Sequence, residues 1–293
     1  MRIGEVDEQI LRAVNQFHYM TAGQVARLLY PNQHDDNRYA QRRLRRLVES
    51  GYLLRLRELP TPQVGSAPHV FTLADKGRRF LMARGARLTS AYYRPSEERA
   101  KARDNPFMEH TLAAVDVLVS AELLNRQHPL VSMPRLFTER QLKREAVRVQ
   151  PAGDPQARPV AVIPDAWFEL AVAGEPVYVA LELDRGTEEQ KYWRRKVAAL
   201  TAWALGPYRQ IFDADNLTVA TVVPTTTRRR QLCSWTTQEL QGIGQPALSD
   251  VFLFTETSPR AVSPEAFFFG ALWFPADRPQ PVSLLDLPEE GQS

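Results

Sequence analysis

Cysteine is almost absent: Cys233 is the one thiol in 293 residues. That excludes a disulfide framework and any multi-cysteine zinc or iron–sulfur site, and leaves Cys233 to be read as a small packed side chain. No apolar run approaches the roughly 18–20 residues that cross a bilayer. The opening MRIGEVDEQIL has no apolar signal core, so an intracellular, cytoplasmic protein without a membrane partner is expected. Neither GxGxxG nor GxxxxGK(S/T) occurs, so no nucleotide-driven activity is inferred. What is present is ordinary for a globular protein: 44% hydrophobic and 24% charged residues, incompatible with wholesale disorder. The length suggests about two domains.

The net charge of +3 conceals an asymmetry. Residues 1–100 hold 17 Lys/Arg and 10 Asp/Glu, a balance of +7; the remainder holds 20 and 24, a balance of −4. A basic first third on an acidic body suggests a polyanion-binding module attached to something else.

The first hundred residues fit that module. Val6, Ile10, Leu11 and Val14 recur at helical spacing. Thr21 can cap a second helix, Ala22 to Tyr30, which Pro31 stops. After the polar loop Asn32–Asn37, a third helix runs to about Ser50, with Tyr39, Leu44, Leu47 and Val48 inward and Gly51 as its C-terminal stop. This is a helix-turn-helix order. The third helix carries Arg38, Arg42, Arg43, Arg45 and Arg46, of which Arg38, Arg42 and Arg45 share a face. Such a stripe suits phosphates and guanine edges in the major groove. A strand Tyr52–Glu58, a Pro- and Gly-bearing tip Pro60–Pro68 and a return strand His69–Leu73 read as a β-wing bearing Arg55 and Arg57. A helix around Lys76–Arg84 closes the unit. A run of arginines is also what a solvated helix face carries, and winged helices also serve protein contacts; arginines on the expected helix, followed by a wing, favour double-stranded DNA.

The chain divides by this reading into a winged helix-turn-helix domain at 1–88, a linker at 89–105, an α/β domain at 106–275 and a flexible tail at 276–293. The second domain opens with a long amphipathic helix, with Met108, Leu112, Val115, Val119 and Leu123 inward. Residues 127–160 read as strand plus loop. AVIPDAWFELAV is then a strand, a turn at Ala173–Pro176 follows, and VYVALELD is the next strand. A helix from Thr187 to Trp203, a strand Leu217–Val223, a helix Thr227–Gln241 and a strand Val251–Thr255 complete a layered α/β pattern.

The hairpin permits a register calculation. With its turn at Gly174–Glu175, paired positions sum to roughly 347–349, so Asp165 faces Glu182 or Asp184. Alternation puts Glu182 and Asp184 on one face. Three carboxylates would then converge, which is destabilising unless something compensates. A divalent cation such as Mg²⁺, held by one or two carboxylates with phosphate and water, would do so.

Ile163-Pro164-Asp165, followed seventeen residues later by Glu182-Leu183-Asp184, resembles the PD-(D/E)xK nuclease core. IPDAWFEL together with VYVALELDRGTEEQKYWRRKVAAL resembles, more specifically, the replication-relaxation family of plasmid and mobile-element proteins. That family joins a winged helix to a restriction-endonuclease-like domain and is similar to one class of conjugative relaxases. The resemblance implies a mixed-sheet α/β/α domain and a Mg²⁺ or Mn²⁺ cofactor held by Asp165, Glu182 and the Leu183 carbonyl. It makes Glu109 the acidic residue of the first core helix. The family's lysine position is occupied here by Asp184, and Lys196 or Lys191 in the next helix could supply the ammonium. Glu188, Tyr192 and Lys196 share a helix face, which favours Lys196. Arg185 would steady the phosphate. Implied partners are double-stranded DNA and other replication or transfer proteins, and a homodimer would suit paired half-sites. The histidines form neither an H-x-H pair nor a cluster of three, so histidine-dependent relaxase chemistry has no support. Two readings stand: metal-dependent nicking, and a non-catalytic accessory factor or transcriptional regulator on a disabled nuclease fold. A protein–protein adaptor is a third.

Overall fold

The computed structural model describes residues 2–31, 36–56, 69–89, 108–153, 156 and 158–287. Arg57, the wing tip at 60–68 and almost all of the 89–105 linker lie outside the described residues. The chain is α/β and divides into two units, Met1–Val119 and Ser120–Ser293.

The first unit begins with α1 (Glu5–Phe17), β1 (Met20–Thr21) and α2 (Ala22–Leu29). Thr21 caps α2 reciprocally with Gln24, each side chain meeting the other's backbone amide. Then come α3 (Asp36–Glu49), β2 (Leu53–Leu56), β3 (Val70–Leu73) and α4 (Asp75–Ala83). The strands form an antiparallel sheet ordered β1-β3-β2. Ala40, Leu44 and Leu47 are the fully buried positions of α3. Tyr39, expected inward, is instead 44% exposed, because the four- and three-residue spacing from Leu44 and Leu47 leads back to Ala40. Gly51 sits at φ +75° after α3, as a left-handed stop requires. Gly77 of α4 has no room for a side chain, since a Cβ would lie 2.2 Å from the Tyr52 carbonyl oxygen.

α5 (Met108–Gln127) is divided between the units, with Met108–Val119 grouped with the first. There Gln24 of α2 donates to the Leu112 carbonyl at 2.8 Å and to Asp116 at 3.2 Å. Expected to be amphipathic, α5 is buried on every side between Val117 and Leu124.

The second unit is built on a six-stranded mixed sheet. Its elements are β4 (Val131–Thr138), α6 (Glu139–Leu142), β5 (Val147–Val149), β6 (Val160–Val162), β7 (Ala166–Val172), β8 (Glu175–Leu183), α7 (Gln190–Leu205), α8 (Tyr208–Phe212), β9 (Thr218–Val222), α9 (Thr226–Gly242), β10 (Phe252–Thr255), α10 (Pro264–Phe269) and β11 (Phe274–Pro275). The sheet order is β11-β10-β9-β8-β7-β4, with β8, β9 and β10 mutually parallel. The expected single strand AVIPDAWFELAV is two: β6 pairs with β5 in a separate ribbon, and the backbone breaks at Ile163–Asp165 before β7. On one face of the large sheet, Trp167, Tyr178, Ala180, Val219 and Phe254 pack with Trp193, Val197, Leu200 and Trp203 of α7 and Leu232 and Leu240 of α9.

The tail expected at 276–293 is corrected for its described part, 276–287; the rest lies outside the described residues. Val282 bridges Trp273, the amides of Leu284 and Leu285 donate to the Phe268 carbonyl, and Leu285 is buried. Prolines made the segment read as loose, but extended backbone is what such bridging needs, and the two leucines bury apolar area. Among the described residues, no helix is long and apolar enough to cross a membrane.

Candidate functional site

The site grows out of the β7–β8 hairpin. Its loop is Ala173–Gly174, both at positive φ (51° and 93°), the twist that two-residue hairpins need. Val172 therefore pairs Glu175 and Ala166 pairs Leu181. One step further, the Asp165 amide donates to the Leu181 carbonyl at 2.9 Å, which sets Asp165 opposite Glu182. Both carboxylates lie on the face that carries Trp167 and Ala180, beneath α7.

Asp165 accepts the Leu183 amide at 2.7 Å. Glu182 is 4% exposed and receives the Lys196 ammonium at 3.1 Å. Lys196 also meets Glu188 at 3.2 Å. The ammonium is thus enclosed by Glu182 and Glu188, with Asp165 within electrostatic reach. Burial favours the neutral amine, but these carboxylates outweigh it and hold the lysine cationic well above its ordinary range. Three carboxylates around one cation leave negative charge in excess. Glu182 takes the consequence: burial, helped by Asp165 and opposed by Lys196, pushes its pKa up to about 7. Of the two lysines suggested by sequence, Lys196 reaches the carboxylates; Lys191 is exposed.

Asp184 departs from the expected convergence. Alternation does put it on the same face as Glu182, but it meets α9 rather than α7. Arg228 grips it twice, at 2.7 and 2.9 Å, and the Gly186 amide donates to it at 2.9 Å. The same guanidinium donates to the Glu188 carbonyl at 2.6 Å. Asp184 is therefore the anchor of a sealed ion pair and not a third member of the cluster. Among the described residues, no group of three or more His, Cys, Asp or Glu side chains could hold a metal ion. The carboxylates of Asp165 and Glu182 carry hard oxygen donors of the kind that suit a cation completing its shell with phosphate and water. Thr221 lies beside Glu182 on β9, fully buried, with no hydrogen-bond partner for its hydroxyl among the described residues. A polar group left this way marks a place where a further ligand fits, so the pair is compatible with Mg²⁺ or Mn²⁺.

Glu109 is exposed and belongs to the first unit, where the sequence reading had it opening the second domain. Arg185 is exposed on the loop after β8. Helix α7 starts at Gln190, three residues later than expected, which leaves Glu188 on the approach to the helix and within reach of Lys196. Sequence reasoning missed Glu188, Thr221 and Arg228 as members of the site. Alternation in LTVATVV could place Thr221 inward, but nothing in sequence says which strand β9 joins. Burial pushes the Cys233 thiol up to about 11, in keeping with a packed, unreactive residue.

In the first unit, Arg38, Arg42, Arg45 and Arg46 are exposed on α3, and Arg55 on β2. The Arg42 guanidinium lies 5.1 Å from the centre of the Tyr39 ring. Arg43 differs: it reaches the buried Asp7 of α1 at 3.4 Å and so ties α3 to α1.

No curated protein and no solved structure matches the chain. Residues 11–210, about two thirds of the length, match the replication-relaxation family. The chain belongs to the replication-relaxation family, which associates it with the replication or relaxation of plasmids and mobile elements.

Proposed function

We propose that this chain binds double-stranded DNA through a winged-helix unit and nicks it with a PD-(D/E)xK-like unit. The observation that carries the reading is the Lys196 ammonium at 3.1 Å from Glu182. The lysine missing from the strand is replaced from α7, one layer above. Asp165 and Glu182 would hold Mg²⁺ or Mn²⁺, with the Leu183 carbonyl. Within a strand, a residue's N–H and C=O point to the same side, and the Leu183 amide already points at Asp165. Such an ion, when bound, polarises the scissile phosphate and lowers the pKa of attacking water. Lys196 orients beside the phosphate and offsets charge developing on it, and Arg185 steadies the strand. Arg38, Arg42, Arg45, Arg46 and Arg55 supply the contacts to duplex phosphates and base edges, while Arg43 holds the recognition helix to α1. Arg57 remains a proposed contributor to the wing. Two copies on paired half-sites, and contacts to other replication or transfer proteins, fit the same reading.

The second reading, a non-catalytic accessory factor or regulator, is favoured by one observation: Asp184, at the family's lysine position, is consumed by Arg228. Supercoiled plasmid incubated with Mn²⁺ separates the two. The first reading expects open-circular product, lost in Asp165→Ala and reduced about 10²-fold or more in Lys196→Ala, with DNA affinity unchanged in both. Retention on DNA with no nicking in any divalent metal supports the second. Absence of salt-dependent DNA affinity removes both and leaves a protein adaptor.

A further inference from the structure

The first two turns of α7 carry side chains that the carboxylate site does not use. Tyr192 is 59% exposed. It precedes Lys196 by one helical turn, so the two share a face, and Lys196 is the residue that touches Glu182. Lys191 and Arg195, also one turn apart, form a row on one side of Tyr192 and are exposed. Neither has an ion-pair partner among the described residues. Of the nearby carboxylates, Glu188 is engaged by Lys196; Glu189, at the helix cap, is exposed.

A lone exposed tyrosine is unremarkable on any protein surface. Placement gives this one its meaning. An aromatic face beside a row of two unneutralised cations is the composition of a single-strand platform: bases stack on the ring and phosphates follow the charges. A duplex hides its base faces, so the ring can be used only by an unstacked base. We propose that Lys191, Tyr192 and Arg195 bind single-stranded DNA beside the carboxylate pair, stacking one base on Tyr192 and seating its flanking phosphates on the two cations. The proposal rests on the nicking reading insofar as a single strand has to be presented to Asp165 and Glu182, but its test does not require cleavage.

The test is fluorescence anisotropy of the full chain in EDTA, with a labelled mixed-sequence 12-mer and with the same sequence as duplex. Tyr192→Ala is expected to weaken the single strand about tenfold or more and to leave the duplex within about twofold. Tyr192→Phe and Tyr192→Trp should retain single-strand affinity. The double variant Lys191→Ala/Arg195→Ala should lower the single-strand salt slope by about 1.4. The proposal is overturned by unchanged single-strand affinity in Tyr192→Ala, by equal losses on strand and duplex, or by Tyr192→Phe losing as much as Tyr192→Ala, which would assign the effect to the hydroxyl. A protein that never nicks yet shows the Tyr192→Ala pattern refutes the nicking reading alone. A protein that nicks but lacks that pattern refutes the platform alone.

Discussion

Glu182 and Asp184 stand two residues apart on one strand and on one face, yet they live in different surroundings. Glu182 meets a lysine whose side chain is 34% exposed and which is shared with Glu188. Asp184 meets an arginine at two points, with side-chain exposures of 9% and 1% for Arg228 and Asp184. The first pair is loose and over-supplied with negative charge; the second is closed and matched. The planar guanidinium suits fixed two-point pairing, whereas an ammonium is a point charge that several oxygens can share. Strand spacing therefore fixed neither fate. The helix overhead did, α7 over Glu182 and α9 over Asp184. The open pair is the one proposed to take part in chemistry, and the sealed one is built to hold β8 to α9.

The largest expected effect tests the sealed pair. Arg228→Ala leaves a buried carboxylate without its partner, which costs about 3–5 kcal/mol. Urea unfolding followed by circular dichroism should register that loss, and Asp184→Ala should cost a similar amount. A loss below about 1 kcal/mol would remove the distinction between the two pairs.

Next in size is a pH effect on the open pair. The Glu182 pKa is raised from 4.5 to about 7, chiefly by burial. A carboxyl whose folded pKa is raised contributes stability that is fully present below its unfolded value and is lost as pH rises through the folded one. Urea stability of the parent protein should therefore fall between about pH 4.5 and pH 7, and Glu182→Gln should flatten that fall. Lys196 stays protonated throughout this window, so the difference in slope between the parent and Glu182→Gln belongs to the carboxyl. A variant with the parent's slope would show that Glu182 is ionised across the range.

Much of this was readable from local chemistry. The hairpin was legible, but its turn lies at Ala173–Gly174, one residue before the expected Gly174–Glu175, and that register selects Glu182 from the two partners, Glu182 and Asp184, that the sequence left open for Asp165. The four-residue spacing of Glu188, Tyr192 and Lys196 favoured Lys196 over Lys191, although Glu188 precedes α7 and Tyr192 is exposed. Arg228 was not readable, because its pairing spans 44 residues and depends on β9 and α9 packing against a sheet whose strand order the sequence does not state. It also falls beyond residue 210, where the family match ends. The β4 strand was obscured for a related reason: as an edge strand with Pro134, Arg135 and exposed positions, it lacks clean alternation. Arg135 is nonetheless placed by tertiary contacts, pairing Glu169 and the Phe212 carbonyl. The C-terminal segment misled because its prolines are visible in sequence, whereas the Phe268 carbonyl that receives Leu284 and Leu285 is not.

The smallest effects test the same contrast in the first unit, where one helix carries arginines of two kinds. Arg42 and Arg45 are exposed, and Arg45 has only a 3.9 Å contact to Glu49, itself exposed. Such a pair contributes little to stability. Arg43 instead serves Asp7, whose side chain is 2% exposed. Arg42→Ala and Arg45→Ala should leave the urea midpoint unchanged and weaken duplex binding about five- to tenfold in anisotropy titrations. Arg43→Ala should do the reverse in the main, costing about 1–3 kcal/mol of stability by leaving a buried acceptor short of its donor. The ordering follows from direction alone: a side chain spent on the helix behind it cannot also reach the groove in front. Equal DNA losses for Arg42→Ala and Arg43→Ala, without a stability difference, would mean that α3 does not present the face assigned to it.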